Sequence, residues 1–325
     1  MRLLRCAAGM VAAAVLLTAC GTSEPGADSE KDDKGGPVTV TDARGKEVKL
    51  KSPADRVVSL EWAETEMLVS LGVMPVGVAQ SKEFGTWNTA VKLDKKVKDV
   101  GDRNEPSEDA ISGLNPDLVI TTSDRPDSTL KQLEKSVPVL VVKGSDAKSG
   151  NLKRMESDLD MIAEAVGRTD EADTLMEDFE SKLAEGKKAL GDAADTPFLM
   201  ADGWDADGKI SIRVHSTGSM YDEVATGLGL KNAWTKKVAY DKVWGLDTVD
   251  VEALSYLEDK KLKFMYDDSG KFGVFTKKLK GNKIWDSLTF VKDGETHKLP
   301  DGIWMFGGPK SGEQMIDAIV EVYTS

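Results

Sequence analysis

Cysteine and histidine are almost absent from this chain. Of its two cysteines, Cys6 lies in an N-terminal apolar stretch and the other is Cys20. The body that follows therefore has no disulfide, no thiolate metal site and no cysteine nucleophile. His215 and His297 are the only histidines, which argues against a His-rich zinc or manganese site. Neither sits in a recognisable catalytic motif and no GxSxG occurs, so Ser/His/Asp hydrolysis lacks its signature. No GxGxxG opens a helix after a strand, and GxxxxGKS and GxxxxGKT are both missing, which leaves a nucleotide fold unsupported. Positive charge is short as well, with 43 Lys and Arg against 56 Asp and Glu and a net charge of -13. Nucleic acid and anionic membrane surfaces are thereby disfavoured as partners, and a neutral or cationic ligand is favoured over a polyanion. Arginine is scarce beside lysine, so the few arginines of the body can be weighed one at a time.

What remains is a chain of 325 residues, 40% hydrophobic and 30% charged, long enough for two domains and with the balance of a soluble globular protein. It opens on Arg2 and Arg5 followed by an apolar core from Ala7 to Leu17, too short to span a bilayer comfortably. The segment ends Leu17-Thr18-Ala19-Cys20-Gly21, which resembles the lipobox of bacterial lipoproteins. That resemblance implies a signal peptide over 1–19, diacylglyceryl attachment to the Cys20 thiol, and stable anchoring by two or more acyl chains. Gly21 to Gly36 is mostly Gly, Ser, Asp, Glu and Lys with one Pro and no large apolar residue, and the stretch 20–37 is expected to be a disordered tether.

The body starts near Val38. Val38–Val40 and Val48–Leu50 read as a hairpin around Asp42-Ala43-Arg44-Gly45. Strands are expected at 57–60, 76–79, 97–100, 117–121 and 137–142, with helices at 63–71, 107–114 and around 130–133. Further on, strands are expected at 197–201, 209–214 and 262–266, helices at 219–227, 251–257 and 311–323, and a hairpin over 290–299 through Asp293-Gly294. Short apolar strands alternating with helices predict an α/β fold built on parallel sheets covered on both faces.

Between the two alternating regions lies the stretch from Leu152 to Leu190. Leu152, Met155, Leu159, Ile162 and Val166 are spaced three and four apart, the stripe of an amphipathic helix. Gly167 ends it, and Thr169 is placed to cap a second helix carrying Ala172, Leu175, Met176, Phe179 and Leu183. At 1.5 Å per residue this second helix is roughly 30 Å long, the width of a small domain. It predicts either a stiff spacer between two lobes, with a cleft between them, or two ordinary helices of one α/β domain.

Three stretches carry a family resemblance. The first is Val100-Gly101-Asp102-Arg103-Asn104-Glu105-Pro106-Ser107-Glu108, followed by Leu114-Asn115-Pro116-Asp117-Leu118-Val119-Ile120. The second is Asn232-Ala233-Trp234 with Val243-Trp244-Gly245. The third runs from Trp285 to Gly307 and includes Phe290-Val291-Lys292 and Ile303-Trp304-Met305-Phe306-Gly307. Together these resemble the substrate-binding proteins of ABC importers for iron-siderophore complexes and cobalamin, and the resemblance implies two lobes, each a mostly parallel sheet flanked by helices, joined by one long connecting helix. The lobes would span 38–168 and 192–325, with the connecting helix at 169–191. Within the family, the ferric hydroxamate binders look most similar. One departure stands out: where the Gram-negative members carry an aromatic residue near the end of the strand at Thr121, this chain has Ser123-Asp124-Arg125.

The residues themselves suggest a ligand site of arginines and tryptophans. A ferric trihydroxamate is close to neutral with exposed oxygens, which the planar fork of Arg suits. Arg103 follows a strand, where α/β sheets place ligands; Arg125 follows the strand ending at Thr121, and Arg213 ends the first hairpin of the second lobe. Trp62, Trp87, Trp204, Trp244 and Trp304 fall in expected loops, where aromatic faces pack on methylene linkers and hold ammonium groups. Tyr240 and Phe306 are lesser candidates beside them. Trp244 and Trp304 also match the family's ligand-side positions, while Trp234 and Trp285 match structural ones. The resemblance further implies that Glu66 and Glu252, one on each lobe, dock on an ABC permease dimer driven by its ATPase.

The expected protein is thus a monomeric lipoprotein on the outer face of the cytoplasmic membrane, of a Gram-positive bacterium. It would carry a ferric siderophore, most simply a hydroxamate, with iron held only through the siderophore and no cofactor or metal ligand of its own. Cobalamin, haem or a catecholate siderophore are the other cargoes of the same transporter type. An exported hydrolase is the reading from another class, and direct iron coordination by Tyr and carboxylates has no spacing to support it.

Overall fold

The computed structural model describes residues 35–325; the expected signal peptide, Cys20 and most of the expected tether lie outside the described residues. The body begins with the hairpin β1 (Val38–Thr41) and β2 (Glu47–Leu50), paired antiparallel. There follow β3 (Val57–Ser59), α1 (Trp62–Ser70), β4 (Gly77–Val78), α2 (Ser81–Trp87), β5 (Lys98–Asp99), α3 (Glu108–Gly113), β6 (Leu118–Thr122), α4 (Asp127–Leu133) and β7 (Val139–Val142). These five later strands form one parallel sheet in the order β5-β4-β3-β6-β7. Every residue of β3, β6 and β7 is buried. That is why their sequences are unbroken apolar or small runs instead of alternating ones.

Next come α5 (Asn151–Val166) and α6 (Thr169–Leu190). Gly167 separates them in the left-handed region at φ 67°, where its missing side chain makes the C-cap inexpensive. Thr169 is the first helical residue of α6 and does not cap it; Arg168 precedes it without a side-chain cap.

The second sheet is built from β8 (Phe198–Ala206), β9 (Lys209–His215), then, after α7 (Met220–Gly227), β10 (Tyr240–Asp241), β11 (Leu246–Val249) and β12 (Lys263–Tyr266). After α8 (Lys283–Ser287) and α9 (Thr289–Lys292) comes β13 (Thr296–Lys298), and α10 (Pro309–Thr324) closes the chain. The order is β10-β11-β9-β8-β12-β13. Its β10 to β8 half is antiparallel, and only β8–β12 and β12–β13 are parallel. The second sheet is therefore mixed, a departure from the mostly parallel sheet expected. The tight β8–β9 connection allows this, since antiparallel neighbours need only a short turn where parallel ones need a crossover. The expected hairpin at 290–299 is instead α9 followed by β13, and residues 251–257 form a 3-10 helix.

The two-lobe α/β architecture holds, but the long helix is no bare spacer. It packs against α5, α7 and α10 in a helical layer between the sheets. One apolar cluster runs from Val57, Ile120 and Leu140 through Leu159 and Phe179 to Met200, Met265 and Ile319. Gly186 makes the close approach possible: a Cβ there would lie 2.8 Å from Leu228 and 2.9 Å from Ile316. Each large apolar side chain buried in this layer is worth about 1.5–3 kcal/mol. The lobes are thus held together by a shared core as well as by chain connectivity.

Candidate functional site

The parallel strands of the first lobe point their carboxyl ends at one cleft, as open α/β sheets do. Glu61 and Trp62 follow β3, Gln80 follows β4, Arg103 follows β5, Asp124 follows β6 and Gly144 follows β7, and all six line the cleft. The opposite wall comes from β8 and β9 (Trp204, Arg213), from the end of β10 and the turn after it (Asp241, Trp244) and from the loop before α10 (Trp304, Phe306). The cavity measures about 630 Å³, enough for a drug-sized ligand. Contacts between the lobes bound it, among them Thr89 N–H to the Gly302 carbonyl at 2.9 Å and Ser145 Oγ to the Val243 carbonyl at 2.8 Å.

Each wall presents one arginine held between a carboxylate and aromatic rings. Arg103 lies 4.0 Å from the centroid of Trp62 and 5.7 Å from that of Trp304. It donates from Nη1 to Glu61 Oε2 and from Nε to Gln80 Oε1, both at 3.0 Å. Gln80 holds φ 50°, a left-handed conformation uncommon for a non-glycine residue, at the point where it receives Arg103. On the facing wall Arg213 and Asp202 are register partners of β9 and β8, and Arg213 Nε donates to Asp202 Oδ1 at 3.0 Å. Strand alternation puts Asp202 and Trp204 on one face, so the Arg213 guanidinium reaches Trp204 at 5.8 Å and Phe306 at 5.2 Å. Stacking and pairing preorganise both guanidiniums while leaving them about a quarter to a third exposed, at 26% and 31%.

A row of aromatic rings runs along the cleft from one lobe to the other. Trp87 meets Trp304 at 6.4 Å, Trp304 meets Phe306 at 5.1 Å and Phe306 meets Trp244 at 5.2 Å, with Trp62 against Trp304 at 5.0 Å. Trp62 is anchored by its Nε1 hydrogen bond to the Ala79 carbonyl at 3.0 Å.

Eight of the ten expected ligand residues line this cleft: Arg103, Arg213, Trp62, Trp87, Trp204, Trp244, Trp304 and Phe306. Trp62, Trp87 and Trp204 do so from helix and strand positions, not from loops. Two expected residues do not face it. The Arg125 side chain is only 6% exposed and ties Glu61 from behind, with Nη1 3.4 Å from Asn104 Oδ1. The Glu61 carboxylate balances the charge of this buried guanidinium. Tyr240 turns its hydroxyl away to the Thr217 carbonyl at 2.8 Å. Trp234 and Trp285 are core, 1% and 4% exposed.

The expected docking carboxylate Glu66 is corrected outright. Residues Trp62 to Leu68 of α1 are all buried, and Glu66 is 0% exposed. Its carboxylate is taken up inside the protein by Asn88 and Ser311 and has no solvent face to offer a partner. Glu252, at the start of the 3-10 helix, is exposed. Several cleft residues were not anticipated, chiefly Glu61, Glu64, Gln80, Glu83 and Asp241. Glu61 and Gln80 follow β3 and β4, whereas Glu64, Glu83 and Asp241 lie within α1, α2 and β10, where no local sequence feature sets them apart.

Burial lifts the Glu61 carboxyl above its ordinary range against the pull of Arg103 and Arg125, and burial likewise lifts Asp202 against Arg213. His215 is fully buried beneath Phe306, and neither ring nitrogen has a partner. Burial first, and Arg213 second, bring it down to about 3, so its ring is neutral. Among the described residues no three His, Cys, Asp or Glu side chains converge in a way that would hold a metal ion.

Two lobes around a cleft walled by aromatic rings and stacked arginines define a two-lobed solute-binding protein. The model of the periplasmic binding protein family matches residues 57–301, and the chain belongs to that family. It is 26% identical over 315 residues to the probable siderophore-binding lipoprotein YfiY of Bacillus subtilis, covering 94% of each chain. It is 28% identical over 322 residues to the Fe(3+)-citrate-binding protein YfmC of the same organism, covering 97% of this chain and 95% of that one. The crystal structure of the siderophore-binding protein FhuD from Vibrio cholerae, bound to Fe3+-Desferal, superposes with a TM-score of 0.70. That comparison covers 83% of this chain and 98% of the other at 23% identity, and it speaks to the fold.

Proposed function

We propose that this protein captures a ferric siderophore in the interlobe cleft, most simply a hydroxamate, and delivers it to an ABC permease for iron uptake. The observation that carries the reading is the pair of stacked arginines, Arg103 and Arg213, facing one another across a row of tryptophans. A ferric chelate offers what such walls complement. Its metal-bound oxygens accept from guanidinium N–H groups, and its methylene linkers lie on indole faces. Iron, as cargo, would be held through its organic ligand and not by protein atoms. The names of the relatives agree, since YfiY and FhuD are described as siderophore-binding.

Lipid attachment at Cys20 would place the protein on the outer face of the cytoplasmic membrane, with lobes at 38–168 and 192–325 about the helix at 169–191. Exposed Glu252 is the carboxylate offered to a permease, and the protein works as a monomer. Fluorescence tests the reading directly, because five tryptophans line the cleft. Ferric hydroxamates are expected to quench the emission saturably and iron salts alone to leave it unchanged; absence of saturable quenching by any ferric chelate overturns the proposal.

A further inference from the structure

The charges around the cleft leave a surplus of acid. Both guanidiniums that line it are already engaged, Arg103 with Glu61 and Arg213 with Asp202. Glu64, Glu83, Asp124 and Asp241 line the same space, and none of them has a Lys or Arg within ion-pair distance among the described residues. An anionic chelate would enter against the field of Glu83, Asp124 and Asp241, whereas a cationic one would be drawn in.

Glu64 is the deepest of the four. It stands in the first turn of α1, is 0% exposed, and neither carboxyl oxygen has a hydrogen-bond partner. The charged groups that face it are Glu61, just before its helix, and Arg154 and Asp158 on α5. Arg154 pairs with Asp158, at 3.5 Å, and stands outside ion-pair distance of Glu64. Polar groups this deeply buried are normally paired, and an unpaired one on the wall of a binding cleft is a place for a ligand donor.

We propose, resting on the siderophore reading above, that the cleft selects ferric chelates bearing a pendant primary ammonium, and that the Glu64 carboxyl receives that ammonium. Three hydroxamates neutralise one ferric ion, so an ammonium arm leaves the chelate with a single positive charge; three catecholates leave it strongly negative, and citrate chelates are anionic too. Burial, with Glu61 and Asp158 adding to it, holds the Glu64 carboxyl up to about 8, so it is mostly protonated in the empty cleft at neutral pH. Binding then exchanges one cation for another: the carboxyl O–H loses its proton to water, and the ammonium N–H groups donate to the carboxylate formed. No other bond changes.

Titration calorimetry on the full chain tests this with ferric desferrioxamine B, whose arm ends in a primary amine, and with its N-acetylated form. Measurements at pH near 7 in two buffers of different ionisation enthalpy count the protons released. The amine form is expected to bind about tenfold or more tightly than the acetylated one, the worth of a charged hydrogen bond. It is expected to release roughly nine-tenths of a proton, the share a group titrating at about 8 still holds there, and the acetylated form none. Glu64→Gln is expected to abolish both the preference and the release. Equal affinities, equal proton counts, a preference that survives Glu64→Gln, or tighter binding of a ferric tris-catecholate would each overturn the inference. With equal affinities the siderophore reading stands and this inference alone falls; if neither chelate binds, both fall. The proton count in the wild-type protein decides the matter even where the variant does not fold.

Discussion

Glu66 on α1 and Ser311 on α10 are joined by a buried hydrogen-bonded clasp. The Glu66 carboxylate accepts the Ser311 backbone N–H at 2.9 Å and the Ser311 hydroxyl as well. It also accepts from Asn88 Nδ2 at 2.7 Å. A carboxylate at the first turn of a helix satisfies an N–H that has no partner within the helix and sits favourably in its dipole. Because α1 belongs to the first lobe and α10 to the second, the clasp fastens the two at the end of the cleft.

Glu66→Ala is therefore expected to lower stability by about 2–4 kcal/mol, since it strands buried donors on Ser311 and Asn88. Glu252→Ala, at an exposed position, is expected to shift stability by no more than about 0.5 kcal/mol. Urea unfolding of the two variants separates them, and equal midpoints would show that the clasp carries no load.

Arg103→Ala removes the guanidinium that lies over Trp62 and leaves Glu61 to Arg125. Because Glu61 keeps that second partner, its burial remains compensated and the melting temperature is expected to move little. Affinity for a ferric hydroxamate is expected to fall by roughly ten- to a hundredfold, the worth of about 1.5–3 kcal/mol for a hydrogen bond to a charged donor. Tryptophan quenching titrations read the loss; an unchanged affinity would assign Arg103 a purely structural part.

The strands of the first lobe were legible because parallel strands buried on both faces must be apolar runs, as in Leu118 to Thr122 and Val139 to Val142. The second sheet was harder. The strand β13 reads Thr-His-Lys, with nothing apolar in it, and exists through its pairing with β12. In β11 the buried Asp247 breaks the pattern because it accepts Trp234 Nε1 at 2.8 Å and the backbone N–H groups of Val238 and Ala239. Tertiary partners of this kind leave no local trace. The cleft divides the same way: tryptophans away from apolar stripes announce a site, whereas a glutamate reads alike whether it faces water, as Glu252 does, or lies sealed in a helix, as Glu66 does.

Cys20→Ser is expected to release the protein from the membrane without loss of fold. The expected anchor at Cys20 lies well before Val38, where β1 begins. Membrane fractionation checks this, with unfolding of the soluble fraction measured alongside. Retention of the variant in the membrane pellet would remove the lipid anchor from the account.

Two buried groups give stability opposite dependences on pH. His215 is held down to about 3 against an ordinary value of 6.5, by burial and then by Arg213. Between those values the unfolded chain binds a proton that the native protein refuses, so this share of stability is lost as pH falls from about 6.5 toward 3. Glu64 is held up to about 8 against 4.5, chiefly by burial. Here the native protein keeps a proton that the unfolded chain has given up, so stability is lost as pH rises from about 4.5 toward 8. Each slope is at most about 1.4 kcal/mol per pH unit. The two offset one another between about 4.5 and 6.5, and above that range Glu64 acts alone. The difference in unfolding free energy between Glu64→Gln and wild type is thus expected to move in favour of the variant by roughly 2 kcal/mol from pH 6.5 to 8. The corresponding difference for His215→Leu is expected to stay flat over that interval and to favour the variant increasingly as pH drops below 6.5. Urea unfolding at a series of pH values gives both curves. A Glu64→Gln difference that does not change between pH 6.5 and 8 would mean that the carboxyl finds water or a partner in solution and titrates normally.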